Sequence, residues 1–255
     1  MPPEQATRRA STSLRTAAVW SAVADLVDRR RAELGRPLRV LDLGGGTGGL
    51  AVPLAELGHD VLVVDPSPDA LAALRRRTGD SDVAARVRAV QGDADSLAEV
   101  TDPASVDLVC CHGVLEVVDD PDATLAAVHT ALAPGGTLSL LVAGRLAVVL
   151  AKVVAGDIPA ATAVLTSTDG RWGAADPLPR RFDTDTVLAL LRRRSFTADR
   201  VHGVRLFSDL VPATVVDNAA DRAALLALEE AASSHPNYAL LGQLGAGLHV
   251  LASRV

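Results

Sequence analysis

Between Val40 and Leu50 the chain reads Val-Leu-Asp-Leu-Gly-Gly-Gly-Thr-Gly-Gly-Leu, five glycines in six residues behind a short apolar run. A strand that enters such a stretch and leaves it as a helix turns sharply and lets a ligand lie against bare main chain, with free N–H groups at the helix start. Parallel sheets place their ligands at the carboxyl end of a strand built this way. The turn therefore predicts an α/β fold with a nucleotide-type site after its first strand.

The glycines fit two cofactor chemistries. Gly44, Gly46 and Gly49 satisfy G-x-G-x-x-G, the dinucleotide spacing, while Asp42, Gly44, Gly46 and Gly48 satisfy the acidic-x-G-x-G-x-G spacing found in methyltransferases. Asp65, about 20 residues further on at the end of the next apolar run, suits a ribose diol in either case. Asp93 and Asp95 follow a third run, where an acidic side chain accepts from an adenine amine. A short-chain dehydrogenase needs a Tyr-x-x-x-Lys pair, whereas Lys152 and Tyr238, the single lysine and tyrosine, lie far apart.

Hydrophobic periodicity extends the alternation along the chain. Strands are expected at 38–43, 61–64, 87–90, 106–111, 137–142, 198–207 and 248–252. Helices are expected at 14–34, 49–57, 68–77, 96–100, 121–132, 145–155, 184–194 and 221–232. Strands alternating with helices give a mostly parallel sheet with right-handed crossovers. We read residues 1–13 as a flexible tail and 14–255 as a single domain, with 14–34 as a helical cap and 145–183 as a substrate-side insertion.

Composition narrows the partners. A net charge of -6 disfavours an extended nucleic-acid footprint, and 2% aromatic residues leave few stacking surfaces. Cys110 and Cys111 are adjacent and unaccompanied, which gives no disulfide framework and points to a reducing, cytoplasmic setting. No apolar signal segment opens the chain, and the run from Thr137 to Gly156 is broken by Gly144, Arg145 and Lys152, so no membrane association is expected. His59, His129, His202, His235 and His249 show no metal-ligand spacing, and no metal is expected. A homodimer is left open.

The order and spacing of Val40 to Asp65, Gln91 to Asp95, Asp107 to Glu116 and Leu132 to Leu138 resemble the motif series of class I methyltransferases. The resemblance implies S-adenosyl-L-methionine as cofactor and a Rossmann-like, seven-stranded, mostly parallel sheet with helices on both faces and a reversed last strand. A narrower resemblance runs through Leu14-Arg15, Trp20, His112 to Pro121, Gly203 to Phe207 and Leu248 to Val250. It is to the bacterial tRNA 5-carboxymethoxyuridine methyltransferases, and it implies methyl transfer to the carboxylate of a modified wobble uridine. By it, cofactor contacts fall on Arg15, Gly45, Gly46, Asp65, Ala94, Asp95 and His112. Where those enzymes carry a lysine-rich stretch, Ser167 to Phe182 offers Arg171, Arg180 and Arg181.

The chemistry of these side chains agrees. Arg15 suits a carboxylate, and His112, at the end of the fourth strand, serves either as a general base or as part of the cofactor wall. Arg145, after the fifth strand, is read either as a clamp on an acceptor carboxylate or as an exposed charge opening a helix. Arg180 and Arg181 are candidate contacts for an anionic acceptor, either a modified tRNA nucleoside or a small metabolite. The triplets Arg29–Arg31, Arg75–Arg77 and Arg192–Arg194 read as solvated helix ends, where positive charge complements the dipole. Two other functions fit the same motifs: methylation of a small-molecule oxygen, and cofactor binding without catalysis.

Overall fold

The computed structural model describes residues 17–79, 82–212, 218–233, 235 and 237–255. The expected tail and Arg15 lie outside the described residues. Helix α1 (Ala17–Leu34) precedes β1 (Arg39–Leu43), α2 (Ala51–Glu56), β2 (Asp60–Asp65), α3 (Pro68–Thr78), β3 (Val87–Gln91), α4 (Leu97–Val100), β4 (Val106–His112), α5 (Pro121–Ala131) and β5 (Leu132–Ala143). The remainder carries α6 (Arg145–Val154), α7 (Ile158–Thr166), α8 (Thr184–Arg193), β6 (Phe196–Val204), α9 (Ala219–Ser233), α10 (Ala239–Gln243) and β7 (Gly247–Arg254).

The first helices start where their sequences say they must. Ser67 accepts from the Ala70 N–H ahead of Pro68, and Asp120 accepts from Asp122 and Ala123 N–H ahead of Pro121. Each side chain satisfies an amide that the helix leaves free, and each proline occupies a position where no donor is needed.

The strands form one seven-stranded sheet in the order β3-β2-β1-β4-β5-β7-β6. The pairs from β3 to β5 are parallel, and β7 runs antiparallel to both β5 and β6. The expected mostly parallel sheet with a reversed last strand is what the chain forms. The order reverses between β1 and β4, which opens a crevice at their carboxyl ends.

Each face of the sheet carries its own core. Leu41, Leu43, Val109, Cys111, Leu138 and Leu140 pack with Leu125, Val128 and Val187, while Val40, Val63, Leu108 and Cys110 pack with Trp20, Val23, Leu54 and Leu71. Successive strand residues point to opposite faces, so the neighbouring cysteines enter different cores and both stay free and buried.

Several elements differ from expectation by more than their frayed ends. Helix α7 lies where the periodicity predicts no element, and Asp157 caps it by accepting from Ala160 N–H. Helix α10 likewise lies where no element is expected. Strand β6 lies two to three residues earlier than expected, because its pairing with β7 starts at Phe196 opposite Arg254. Strand β5 begins at Leu132, and Pro134-Gly135-Gly136 lie where its register against β4 shifts instead of in a separate turn. No helix among the described residues is long and apolar enough to cross a membrane.

Asp107, at the start of β4, fixes the entry to β1. Its carboxylate accepts two bonds from Arg36, at 2.8 and 2.9 Å, and one from Arg39 N–H at 2.8 Å. Asp107→Ala leaves a main-chain donor unsatisfied beside a half-exposed cation. A loss of about 2 kcal/mol is expected in urea unfolding, the scale of one bond to a charged group. A midpoint equal to that of wild type contradicts this assignment.

Candidate functional site

The glycine turn closes β1 as the sequence requires. Gly44, Gly46 and Gly48 have φ of +71°, +54° and +80°, a region that side chains rarely adopt. Gly44 N–H donates to Val64 O at 2.7 Å, and Gly48 N–H donates to Gly45 O at 2.9 Å. The turn thereby hangs on β2.

Two carboxylates shape it from below. Asp65, at the end of β2, accepts from Gly46 N–H at 2.8 Å through Oδ2 and from Ser67 N–H at 2.9 Å through Oδ1. Each oxygen keeps a lone pair for a further donor. Asp42 is 2% exposed, and its Oδ2 has no hydrogen-bond partner among the described residues. A Cβ on Gly45 would lie 2.5 Å from that oxygen, so only glycine lets the turn close over Asp42. By contrast, a Cβ on Gly46 would meet nothing nearer than Asp65 Oδ2 at 3.8 Å, which marks the open side of the cradle.

Burial, and then the charge of Asp65, push the Asp42 carboxyl up from 3.8 to about 7. Near neutrality the pair therefore carries less than two negative charges. A cation above the turn favours the ionised form, and a ribose diol finds acceptors at Asp65. The residues fit a ligand with both features.

The neighbouring loops complete the crevice. Gly92 N–H donates to Asp65 O at 3.2 Å and ties the end of β3 to the end of β2. Asp93 Oδ1 accepts from Asp95 and Ser96 N–H, both at 3.1 Å, so this carboxylate shapes the loop entering α4. Ala94 is buried, and Asp95 is exposed beside it. From β4, the loop after His112 crosses the turn: Val114 Cγ2 lies 2.6 Å from where a Cβ on Gly44 would sit. His112 Nε2 is 2.9 Å from Ser139 Oγ, and burial lowers its pKa to about 4, so the imidazole is neutral at pH 7.

Glu116 was not singled out from the sequence, although its charge interrupts an apolar run. It is 4% exposed, accepts from Ala143 N–H at 2.6 Å and has no partner for Oε2 among the described residues. Burial raises its pKa. It joins the loop after β4 to the end of β5.

The three arginines expected at an acceptor all turn to main-chain carbonyls. Arg145 donates to Ser167 O at 2.7 Å and Thr168 O at 2.9 Å. Arg180 donates to Leu115 O at 2.9 Å, to Val118 O and to Asp119 O, and so holds the loop after β4. Arg181 is 5% exposed and forms a two-bond ion pair with Asp176, at 2.6 and 2.9 Å. Arg181 also donates to Gly170 O at 3.1 Å, so partners inside the insertion hold this buried cation. Arg181 also lies 4.6 Å from the centre of the Trp172 ring, with Lys152 at 4.2 Å. The insertion's ends meet at β5, where Phe182 N–H donates to Ala143 O and Arg145 N–H donates to Phe182 O.

The arginine triplets lie at helix ends as expected. Arg31 donates to Leu57 O, Arg77 donates to Gly48 O, and Arg193 and Arg194 pair with Asp122. Burial raises both cysteine thiols, which suits core residues. Among the described residues no cluster of three His, Cys, Asp or Glu could hold a metal.

Comparison with known proteins places these features in context. A methyltransferase-domain family model matches residues 41–138. The chain is 33% identical to the tRNA 5-carboxymethoxyuridine methyltransferase of Escherichia coli over 197 residues, 77% of this chain and 72% of that one. It is 39% identical over 130 residues to the ubiquinone biosynthesis O-methyltransferase of Xanthomonas campestris, 49% of this chain and 53% of that one. The fold matches an S-adenosylmethionine-dependent methyltransferase from Mesorhizobium loti, with TM-score 0.61 and 22% identity over 95% of this chain and 100% of that one. It also matches the 1,6-didemethyltoxoflavin-N1-methyltransferase of Burkholderia thailandensis, solved with S-adenosylhomocysteine, with TM-score 0.53 and 24% identity over 98% and 78% of the two chains.

The raised Asp42 pKa has a measurable sign. A carboxyl whose folded pKa exceeds its unfolded value stabilises the fold fully below about pH 4, and that contribution is lost as pH rises through 7. Between pH 5 and pH 8 the loss is roughly 2–3 kcal/mol. Calorimetry should show wild type losing more stability across that interval than Asp42→Asn. Equal losses would remove Asp42 as the titrating group.

Proposed function

This chain belongs to the S-adenosylmethionine-dependent methyltransferase family, and from that premise we propose that it methylates the carboxylate of 5-carboxymethoxyuridine in tRNA. The observation that carries the choice of acceptor is the likeness to the Escherichia coli tRNA enzyme, which runs through most of both chains. When bound, the cofactor would supply a methyl group on a sulfonium; the acceptor oxygen would bond to that methyl carbon as its C–S bond breaks, with S-adenosylhomocysteine leaving as a neutral thioether.

The chain's own residues do the rest. Asp65 accepts from the ribose hydroxyls while its main-chain bonds hold it in place. Asp42, Gly44, Gly45, Gly46 and Gly48 form the floor beneath the cofactor, and the ionised form of Asp42 balances its positive charge. Asp93, Ala94 and Asp95 line the adenine side and His112 stands at the reacting end, while Arg15, outside the described residues, is assigned to the methionine carboxylate by the family resemblance alone. Arg145 and Arg180 fix the loops that frame the acceptor.

A carboxylate acceptor suits this site. It is ionised at neutral pH, so the enzyme contributes proximity and alignment and removes no proton. A base is needed only for a neutral alcohol or phenol. One observation favours a second reading, a small organic acid as acceptor: the guanidinium groups of Arg180 and Arg181 are held within the protein, which leaves the insertion with little free positive charge for a polynucleotide.

Purified protein, S-adenosylmethionine and tRNA containing 5-carboxymethoxyuridine should yield the methyl ester, read by nucleoside mass spectrometry. Asp65→Ala should weaken S-adenosylhomocysteine binding by roughly 10- to 150-fold in isothermal titration, the range for one bond to a charged group. Cofactor binding with no ester formed would move the acceptor to the small acids. Full-strength binding by Asp65→Ala would place the cofactor elsewhere.

A further inference from the structure

A chain of polar side chains starts at His112, where β4 ends at the crevice, and crosses four adjacent strands. His112 Nε2 on β4 lies 2.9 Å from Ser139 Oγ on β5, and that oxygen lies 2.8 Å from His249 Nε2 on β7. His249 Nδ1 lies 3.2 Å from His202 Nε2 on β6. Register brings the last two together, since His202 and His249 are direct partners across the antiparallel pair. The rings meet edge to face, with centroids 5.7 Å apart for His112 and His249 and 4.7 Å apart for His202 and His249. Ser139 and His249 are fully buried, and His202 is 3% exposed.

Such a chain has a direction. A neutral imidazole carries one N–H and one lone pair, and burial lowers the pKa of all three histidines, to about 4 for His112 and His202. All three are neutral at pH 7. Ser139 Oγ has two hydrogen-bond partners among the described residues, both ring nitrogens, so its hydrogen points at one of them.

The far end decides which. His202 Nδ1 is buried and has no hydrogen-bond partner among the described residues. If donation ran from His112 toward His202, that atom would carry an N–H with nothing to accept it. If donation runs the other way, it carries only a lone pair. A buried N–H without an acceptor is the rarer and costlier state.

We propose that His202, His249 and Ser139 are positioning residues that donate in turn toward His112 and hold its proton on Nδ1, so that His112 serves as a hydrogen-bond donor and not as a base. The inference rests on the placing of His112 at the cofactor crevice. It deepens the proposed function, on which it rests, by assigning the part His112 plays in it: with Nε2 occupied by Ser139 and Nδ1 protonated, His112 takes no proton from the acceptor.

Long-range proton–nitrogen correlation spectra of the full chain, labelled with 15N-histidine, read the tautomers directly. His112 should appear as the Nδ1–H form, with His249 and His202 as Nε2–H forms, both free and with S-adenosylhomocysteine bound. The opposite polarity inverts all three, and His112 as Nε2–H overturns the proposal. Kinetics give a second measure. Ser139→Ala should lower kcat roughly tenfold, as loss of an outer partner that fixes a ring does, with KM for S-adenosylmethionine unchanged. Ser139→Thr, which keeps the hydroxyl, should restore the rate. An unaltered kcat in Ser139→Ala also overturns the proposal. Absence of S-adenosylhomocysteine binding defeats the crevice assignment instead, while the spectra of the free protein still report the tautomers.

Discussion

The Asp65 carboxylate joins the ends of two neighbouring strands, accepting from Gly46 N–H and Ser67 N–H at the same time. Without that pair of bonds the glycine turn has no fixed height above β2, and the start of α3 has no fixed angle. Val64 O, which receives Gly44 N–H, makes the same connection one residue earlier. The crevice at the switch between β1 and β4 is thus held by main-chain amides, which do not change with side-chain identity. The geometry tolerates a turn of almost pure glycine because a carboxylate supplies the order that glycine lacks.

A second carboxyl beneath the turn gives the site its electrostatic character. Asp42 is buried, close to Asp65, and only partly satisfied, so it holds its proton up to about pH 7. Two like charges in one dry space are unfavourable, and a cationic ligand relieves the conflict. The same sheet carries uncharged polar groups on the other side of the crevice, where His112, Ser139, His249 and His202 form a chain that is neutral throughout. The site therefore pairs a titrating acidic floor with a non-titrating wall.

The insertion between β5 and α8 is organised by cations that point inward. Arg145, Arg180 and Arg181 satisfy carbonyls and one buried carboxylate, and Trp172 lies within reach of both Lys152 and Arg181. Such pairing fixes loops that have few apolar anchors. Val153, Val154, Ile158 and Leu165 of α6 and α7 are exposed.

The sequence by itself determined the sheet, the glycine turn that closes β1 and most element types, because these depend on local rules. Strand runs of Val and Leu, a turn that only glycine can make, caps at Ser67 and Asp120, and an aspartate closing the second strand are all visible within short windows. It did not disclose α7, the early start of β6, or the inward pairing of Arg180 and Arg181. Nor did it disclose the alignment of His112, Ser139, His249 and His202, residues separated by up to 137 positions that meet only because β7 inserts between β5 and β6. The physical reason is that an arginine looks the same in sequence whether its partner is solvent or a carbonyl 65 residues away. A histidine's tautomer, likewise, is set by neighbours that strand order alone brings within hydrogen-bonding distance.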